Sequence, residues 1–355
     1  MISVVINGLQ FFHTTRSTVT VSMDTIANVL SMEISDRWAQ GNLQRQIKPY
    51  DPCQVFIGNN KIIDGYIDKV TPRITPSQNT ITISARDKTG DLVDCAAVHG
   101  VGQWNGLTLD RIIKEICQPF GINVTVATDV GDPIPYFRLD QSMTAFEAIN
   151  KLCSLRSILP LADDKGGIVL TLASDDVISY QLIQGVNIID GTANYDGSER
   201  FSEYIIKGQA LTSEGLTGEI SFSGIGKVND LNVPRYRPTV IVESAPVNNG
   251  TCQQIAKWEL AKRRGKSQNF KIKIKGLLQD DGSLWPTNKQ VFLSSNYLGV
   301  NANMLIAAID YSSDSSGDFT TFTLTPKEAY TIIPDLTLEK PKNQNALGGN
   351  EFLDA

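Results

Sequence analysis

The sequence predicts a mainly β protein with an α/β insertion: two similar β-barrel domains, a small two-helix α/β domain, and a flexible C-terminal tail. Three observations predict it. Short alternating or β-branched runs separated by turn residues fill both ends of the chain, the signature of a barrel or sandwich. Two distant stretches repeat one β-pattern: Val55-Phe56-Ile57, Tyr66-Ile67-Asp68 and Thr80-Ile81-Thr82-Ile83, then Val291-Phe292-Leu293, Ala308-Ile309-Asp310 and Thr321-Phe322-Thr323-Leu324. A Pro precedes each copy, Pro52 and Pro286. Helical periodicity, in contrast, is concentrated between residues 99 and about 178.

Residues 1–98 form the first expected β-barrel domain. Thr18-Val19-Thr20-Val21 and Met32-Glu33-Ile34 join the strands of the first copy, with Asn59-Asn60, Asp64-Gly65 and Pro76-Ser77 as turns. Residues 99–178 change texture. Leu109, Ile112, Ile113 and Ile116 share a helical face, with Thr108 as N-cap and Gly121 as C-cap. A second helix from Thr144 to about Ser157 opens with a capping box, Thr144-x-x-Glu147. Thr108, Ile113, Ile116 and Cys117 match Thr144, Ile149, Leu152 and Cys153 at one spacing, so the insertion reads as two related halves. Strand-like runs follow each helix, at 122–127, then at 158–162 and 168–172. Residues 179–330 read as the second β-barrel domain, interrupted by one helix at about 251–265 with a capping box at Thr251-x-x-Gln254. The Gly-, Ser- and Thr-rich stretch 210–238 reads as a long hairpin or an arm. Residues 331–355 are a polar tail.

Bulk properties exclude several classes. At 355 residues, with 41% hydrophobic and 20% charged, the chain is globular and holds two to three domains. No apolar run approaches the ~20 residues of a bilayer span, so membrane insertion is not expected. The opening Met1-Ile2-Ser3-Val4-Val5-Ile6-Asn7 lacks the basic and apolar regions of a secretory signal. Five cysteines (Cys53, Cys95, Cys117, Cys153, Cys252) are scattered without C-x-x-C, which fits reduced thiols and argues against a zinc or disulfide framework.

Catalytic patterns are weak. His13 and His99 lie in loop-like sequence, and no zinc-protease, nucleophile-elbow or Walker motif occurs. Gly224-Ile225-Gly226-Lys227 is too short for a phosphate loop and reads as a turn. The acidic pairs Asp163-Asp164, Asp175-Asp176 and Asp280-Asp281 sit beside Gly or Ser, as turn residues do. One basic segment stands out: Lys262, Arg263, Arg264, Lys266, Lys271, Lys273 and Lys275, in a chain of net charge −6. Lys271-Ile272-Lys273-Ile274-Lys275 alternates, so a strand there turns lysines to one face, either solvated or meeting an acidic partner. A nucleic-acid backbone fits less well, since only Phe270 offers a stacking surface.

Five ordered stretches resemble the baseplate hub of Mu-type contractile-tailed phages, the tail protein P family. They are Gly65-Tyr66-Ile67-Asp68; Ala85-Arg86-Asp87-Lys88-Thr89-Gly90-Asp91-Leu92-Val93-Asp94-Cys95; Ser198-Glu199-Arg200-Phe201-Ser202-Glu203-Tyr204-Ile205-Ile206-Lys207-Gly208-Gln209; Lys257-Trp258-Glu259-Leu260-Ala261-Lys262-Arg263-Arg264-Gly265; and Gly282-Ser283-Leu284-Trp285-Pro286-x-Asn288. The resemblance covers residues 1 to about 330. It implies a homotrimer forming a ring of pseudo-six-fold symmetry that joins the tail tube to the spike in a phage, prophage or pyocin-like particle. Tail spike, tail tube and other baseplate proteins are then the partners, nucleic acid enters only in transit through the ring, and the site is the virion tail baseplate, assembled in the host cytoplasm. It implies no cofactor and no catalytic residues. The competing readings are a cell-wall-binding module, suggested by the repeated α/β halves, and a tail-associated peptidoglycan hydrolase.

Residue roles follow from chemistry. Arg86, Asp87, Asp91 and Asp94 are expected to pair at a strand-to-helix corner. Arg200 lies in the third matching stretch. Trp258 and Trp285 are expected as buried anchors. Arg263 and Arg264 are expected to meet helix-terminal carbonyls and to form ion pairs between subunits.

Overall fold

Alternation builds the first seven strands: β1 (Ile2–Ile6), β2 (Leu9–Phe11), β3 (Arg16–Ser22), β4 (Val29–Ser35), β5 (Pro52–Ile57), β6 (Asn60–Ile74) and β7 (Asn79–Asp87). The computed structural model describes residues 1–11, 15–35, 47–76, 79–163, 165–209, 222–243 and 248–330. Expectations for His13, Asp164, residues 210–221 and the tail 331–355 lie outside them. The insertion follows as α1 (Gly90–Asp94), β8 (Gln103–Leu107), α2 (Leu109–Cys117), β9 (Val124–Val126), β10 (Ile134–Arg138), α3 (Ala145–Ser154), β11 (Leu159–Ala162) and β12 (Ile168–Thr171). The last part comprises β13 (Val177–Ile183), β14 (Asp190–Tyr195), β15 (Glu203–Gln209), β16 (Phe222–Asn229), β17 (Pro238–Glu243), α4 (Asn249–Lys266), β18 (Gln268–Lys275), β19 (Gln290–Ser295), β20 (Val300–Asp314) and β21 (Gly317–Thr325). The protein is mainly β, as the alternation predicts.

The repeated pattern is real in three dimensions. Strands β5, β6 and β7 have 6, 15 and 9 residues, and β19, β20 and β21 have the same 6, 15 and 9. Both triplets are antiparallel meanders, and both carry a bulge at one place, between Ile67 and Lys69 and between Ile306 and Ala308. Ile67 donates its N–H to the Asp51 carbonyl and accepts from Tyr50; Ile306 does the same with Lys289 and Asn288. Tyr50 and Asn288 share an uncommon positive φ, +75° and +56°. The sequence comparison had slipped along the strand, because the bulge equates Asp68 with Ala307 and not with Asp310. The slip went unseen because the bulge puts both Ile306 and Ile309 on the buried face, so either can stand for Ile67 in an alternating pattern.

Flanking strands repeat too. β4 sets Leu30, Met32 and Ile34 against Ala85, Ile83 and Ile81 of β7; β18 sets Phe270, Ile272 and Ile274 against Leu324, Phe322 and Thr320 of β21. β3 lies outside β4 as β14 lies outside β18. The two units are not separate sheets. They belong to one thirteen-stranded sheet in the order β14-β18-β21-β20-β3-β4-β7-β6-β5-β1-β2, with β19 also on β20 and β13 on β19. Fifteen-residue β20 makes the join. Along one edge it pairs Val300–Leu305 with β19 and Ala308–Asp314 with β3. Both units contribute to one apolar core, which includes Val19, Leu30, Ile83, Leu293, Ile309 and Phe322.

The insertion has its own core, where Ile113, Ile116 and Cys117 of α2 meet Ile149, Leu152 and Cys153 of α3. Thr144 accepts from the Glu147 N–H and Glu147 from the Thr144 N–H, the full capping box. Thr108 makes no such side-chain bond. Helix α3 stops at Ser154, short of the expected Ser157, and β8 pairs antiparallel with β10, across α2 and β9, in a two-stranded sheet the periodicity did not reveal. Strand β15 joins β16 antiparallel and β17 parallel under α4. There the expected turn at Gly224–Lys227 is strand β16, and a Cβ on Gly226 would sit 2.2 Å from the Cys252 carbonyl carbon, so Gly is what lets α4 lie so close. The N-cap of α4 is Asn248, accepting from the Thr251 N–H, not Thr251 itself. Gly265 does not end the helix; it packs against the Ala329 backbone, which a Cβ would approach to 2.3 Å.

Candidate functional site: interaction surfaces and their supports

The strand-to-helix corner is built around Arg86. It extends from β7, its Nε donating to Asp68 at 2.5 Å and its Nη2 to Asp94 at 2.5 Å. The guanidinium holds the Asp94 carboxyl below the usual range, and the bonds to Asp94 and Asp68 raise its own pKa. β6, β7 and α1 are thereby tied together. Asp87 departs from the expected pairing. It is buried, and its oxygens accept backbone N–H bonds from Asp64 at 2.9 Å and Asn28 at 3.2 Å. Alternation along β7 turns it to the opposite face from Arg86, and burial pushes its pKa up to about 7. Asp91, also raised by burial and by Asp94, stands beside the cluster.

A second cluster fastens α4. Asp230, with a fully buried side chain, accepts from Arg200 at 2.6 Å and Arg264 at 3.1 Å. Arg263 bonds Glu259 at 2.8 Å and Glu199 at 2.9 Å, and lies over the Phe201 ring. Both arginines expected to bridge subunits thus hold partners within the chain. The terminal carbonyls they were expected to meet are taken by Ser267, whose N–H donates to Arg263 and whose hydroxyl donates to Arg264. Trp285 is a buried anchor: Phe322 and Tyr180 meet its ring edgewise, and Tyr311 bonds its backbone at both N–H and carbonyl. Trp258 is only half-buried, because Cys252, Ile255 and Ala256 form the inward stripe of α4 and Trp258 lies on its flank.

Other chemical candidates have structural employment. His99 stacks on Trp104, whose indole N–H bonds Glu115 at 2.6 Å. Asp163 and Asp281 accept turn amides. Asp175 pairs with Lys327, and Asp176 with Lys289. Cys117 and Cys153 are buried thiols whose pKa burial pushes up to about 12. No group of three or more metal-ligating side chains occurs among the described residues, and no helix there is long and apolar enough to cross a membrane. On β18, Lys271 and Lys275 are exposed while Ile272 and Ile274 are buried, and Lys273 covers the Phe319 ring at 4.0 Å.

What the sequence reading missed is edge exposure. Beyond the bulge, Lys69, Thr71, Pro72, Arg73 and Ile74 of β6 are exposed, Ile74 to 83%, and no described strand pairs with that side. The matching half of β20 is covered by β3. No described strand pairs with the outer side of β14 either. Only the strand pairing of the folded chain reveals such a difference between two like units.

Family models match in chain order: Mu phage baseplate assembly protein GpP-like, N-terminal, over 1–87; baseplate hub protein gp44-like, second domain, over 89–172; and Mu phage baseplate assembly protein GpP, fourth domain, over 249–333. The baseplate hub protein gp44 of Escherichia phage Mu is 29% identical over 98% of this chain and 93% of its own. The crystal structure of the 43 kDa tail protein of prophage MuSo2 from Shewanella oneidensis superposes with a TM-score of 0.81 at 30% identity, covering 92% of this chain and 98% of that one. The tail protein of Neisseria meningitidis MC58 shares the fold, with a TM-score of 0.75 at 19% identity over 94% and 98% of the two chains. With family models matching 1–87, 89–172 and 249–333 in order and a relative 30% identical over 92% of this chain, the chain belongs to the Mu-type baseplate hub family.

Proposed function

We propose that three copies of this chain close into a ring of pseudo-six-fold symmetry that joins the tail tube to the spike. The observation that carries it is the internal duplication: twin β-units with the same strand lengths in the meander, a bulge at the same place and core residues paired at corresponding positions. Three chains then present six like units on the tube side while remaining three-fold toward a spike, so one protein reconciles both symmetries. Tail tube, spike and neighbouring baseplate proteins are its partners, and assembly takes place in the host cytoplasm. The role is mechanical: Asp163 and Asp281 serve turns, Asp175 and Asp176 ion pairs, and His99 stacking. Light scattering of the purified protein together with averaged projections tests the ring. A three-chain mass with six inner units is expected, and a monomer or a two-fold particle overturns it. Incubation with purified peptidoglycan is expected to release no soluble fragments, and release would reinstate the hydrolase reading.

A further inference from the structure

Inside the chain the two units are stitched by β3 on β20: Val21, Val19 and Ser17 stand opposite Ile309, Tyr311 and Ser313. Each unit therefore offers one donor strand and one receiving edge. β3 is the donor of the first unit, and β14 is its counterpart in the second, since Val19 faces Leu30 as Ala193 faces Phe270. The receiving edge of the second unit is β20 beyond its bulge, and its counterpart is β6 from Lys69 to Ile74. β3 and β20 have found each other. Among the described residues, β14 and the far half of β6 each lack a strand on one side, at opposite ends of the same pattern.

We infer that β14 of one chain adds antiparallel to residues 69–74 of β6 in the next copy, repeating between chains the β3–β20 junction found within each chain. The register follows by counting from the bulges. Tyr311 lies four residues past Ala307, as Pro72 does past Asp68, so Ala193 stands opposite Pro72, Gly191 opposite Ile74 and Tyr195 opposite Val70. Hydrogen-bond directions agree. Asp196 sends its N–H inward to Ser267, so the alternation in β14 turns the amides of Gly191, Ala193 and Tyr195 outward. On the other side, Ala307 directs its carbonyl to the Met23 N–H, which sets Ile309, Tyr311 and Ser313 toward β3, and hence Val70, Pro72 and Ile74 toward the open edge. Side chains agree as well. Asp196 falls opposite Lys69, an acid facing a base, and Asn194 falls opposite Thr71, where Thr20 and Asp310 bond at 2.6 Å in the internal junction. Pro72 lacks an N–H, so this seam carries one bond fewer than its internal model, and the same Pro blunts the edge against unrelated strands. A donor and a receptor on different surfaces make a head-to-tail contact, which closes only as a ring.

The seam rests on the proposed ring and specifies it, and the test separates the two. Thr192 and Arg73 form a non-hydrogen-bonded cross-strand pair, whose Cα atoms lie about 4.5 Å apart, within disulfide range. The full chain carrying Thr192→Cys and Arg73→Cys, with the exposed native thiol removed by Cys95→Ser, is oxidised and run on a non-reducing gel. Covalent dimers and trimers are expected, with none from either single variant or from Thr192→Cys paired with Lys69→Cys. A trimer by light scattering that fails to cross-link through this pair overturns the seam and keeps the ring. Cross-linked oligomers of another size keep the seam and overturn the three-fold ring. A protein that is monomeric at all concentrations rejects both.

Discussion

Asp87 makes the sharpest prediction for a single side chain. Its carboxyl titrates near 3.8 when unfolded and near 7 when folded, so between those values the folded state retains a proton that the unfolded chain has lost. Its contribution to stability is therefore full below pH 4, falls as pH rises to 7, and is flat above. Urea unfolding at pH 4, 5.5 and 7 should show wild type losing, relative to Asp87→Asn, an amount on the order of a few kcal/mol across that range. Arg86 is more exposed, and its pairs are worth less. A double-mutant cycle of Arg86→Ala with Asp94→Asn is expected to give a coupling of about 1 kcal/mol that shrinks with added salt. The Arg86–Asp94 pairing was legible in the sequence, because a base and an acid eight residues apart flank a strand-to-helix corner. The burial of Asp87 was not, since its partners Asn28 and Asp64 are backbone amides brought in from elsewhere in the chain. Arg200, Arg263 and Arg264 were visible as charges, but Asp230, which gathers two of them, was not. Nothing local distinguishes a buried acid from a turn aspartate.

At the level of elements, caps and close approaches decide. Thr144→Ala removes a complete capping box from α3 and should cost about 1 kcal/mol by thermal or chemical unfolding. Gly226→Ala should cost about 1–3 kcal/mol or more, because its new methyl meets the α4 backbone, which has no room to yield. The same measurement on Gly197→Ala, where nothing stands within 4 Å of the added carbon, is expected to show little change. Strands β3, β4, β5 and β7 and helices α2 and α3 were readable because each carries its period within itself. β8, β10 and the phase of the duplicated meander were not readable, because pairing partners choose them. The glycines of β16 misled in an instructive way: a turn and a close helix crossing ask for the same residue.

For the whole molecule, the shared core of the twin units implies joint unfolding. Leu30→Ala in the first unit should cost about 2–5 kcal/mol, and Trp285 fluorescence in the second unit should report that loss at the same denaturant midpoint as backbone circular dichroism. Two separated midpoints would mean that each unit stands alone. The sequence disclosed that there were two units, but not that β20 grips both. That grip also bears on synthesis. Thr20 waits for Asp310, 290 residues later, before its strand has a neighbour on that side. At a ribosomal pace of about 5–20 residues per second, the nascent first half trails an unsatisfied flank for roughly 15–60 s. Chaperone capture during translation is the natural remedy, and a pause placed before residue 300 should raise the yield of aggregated product.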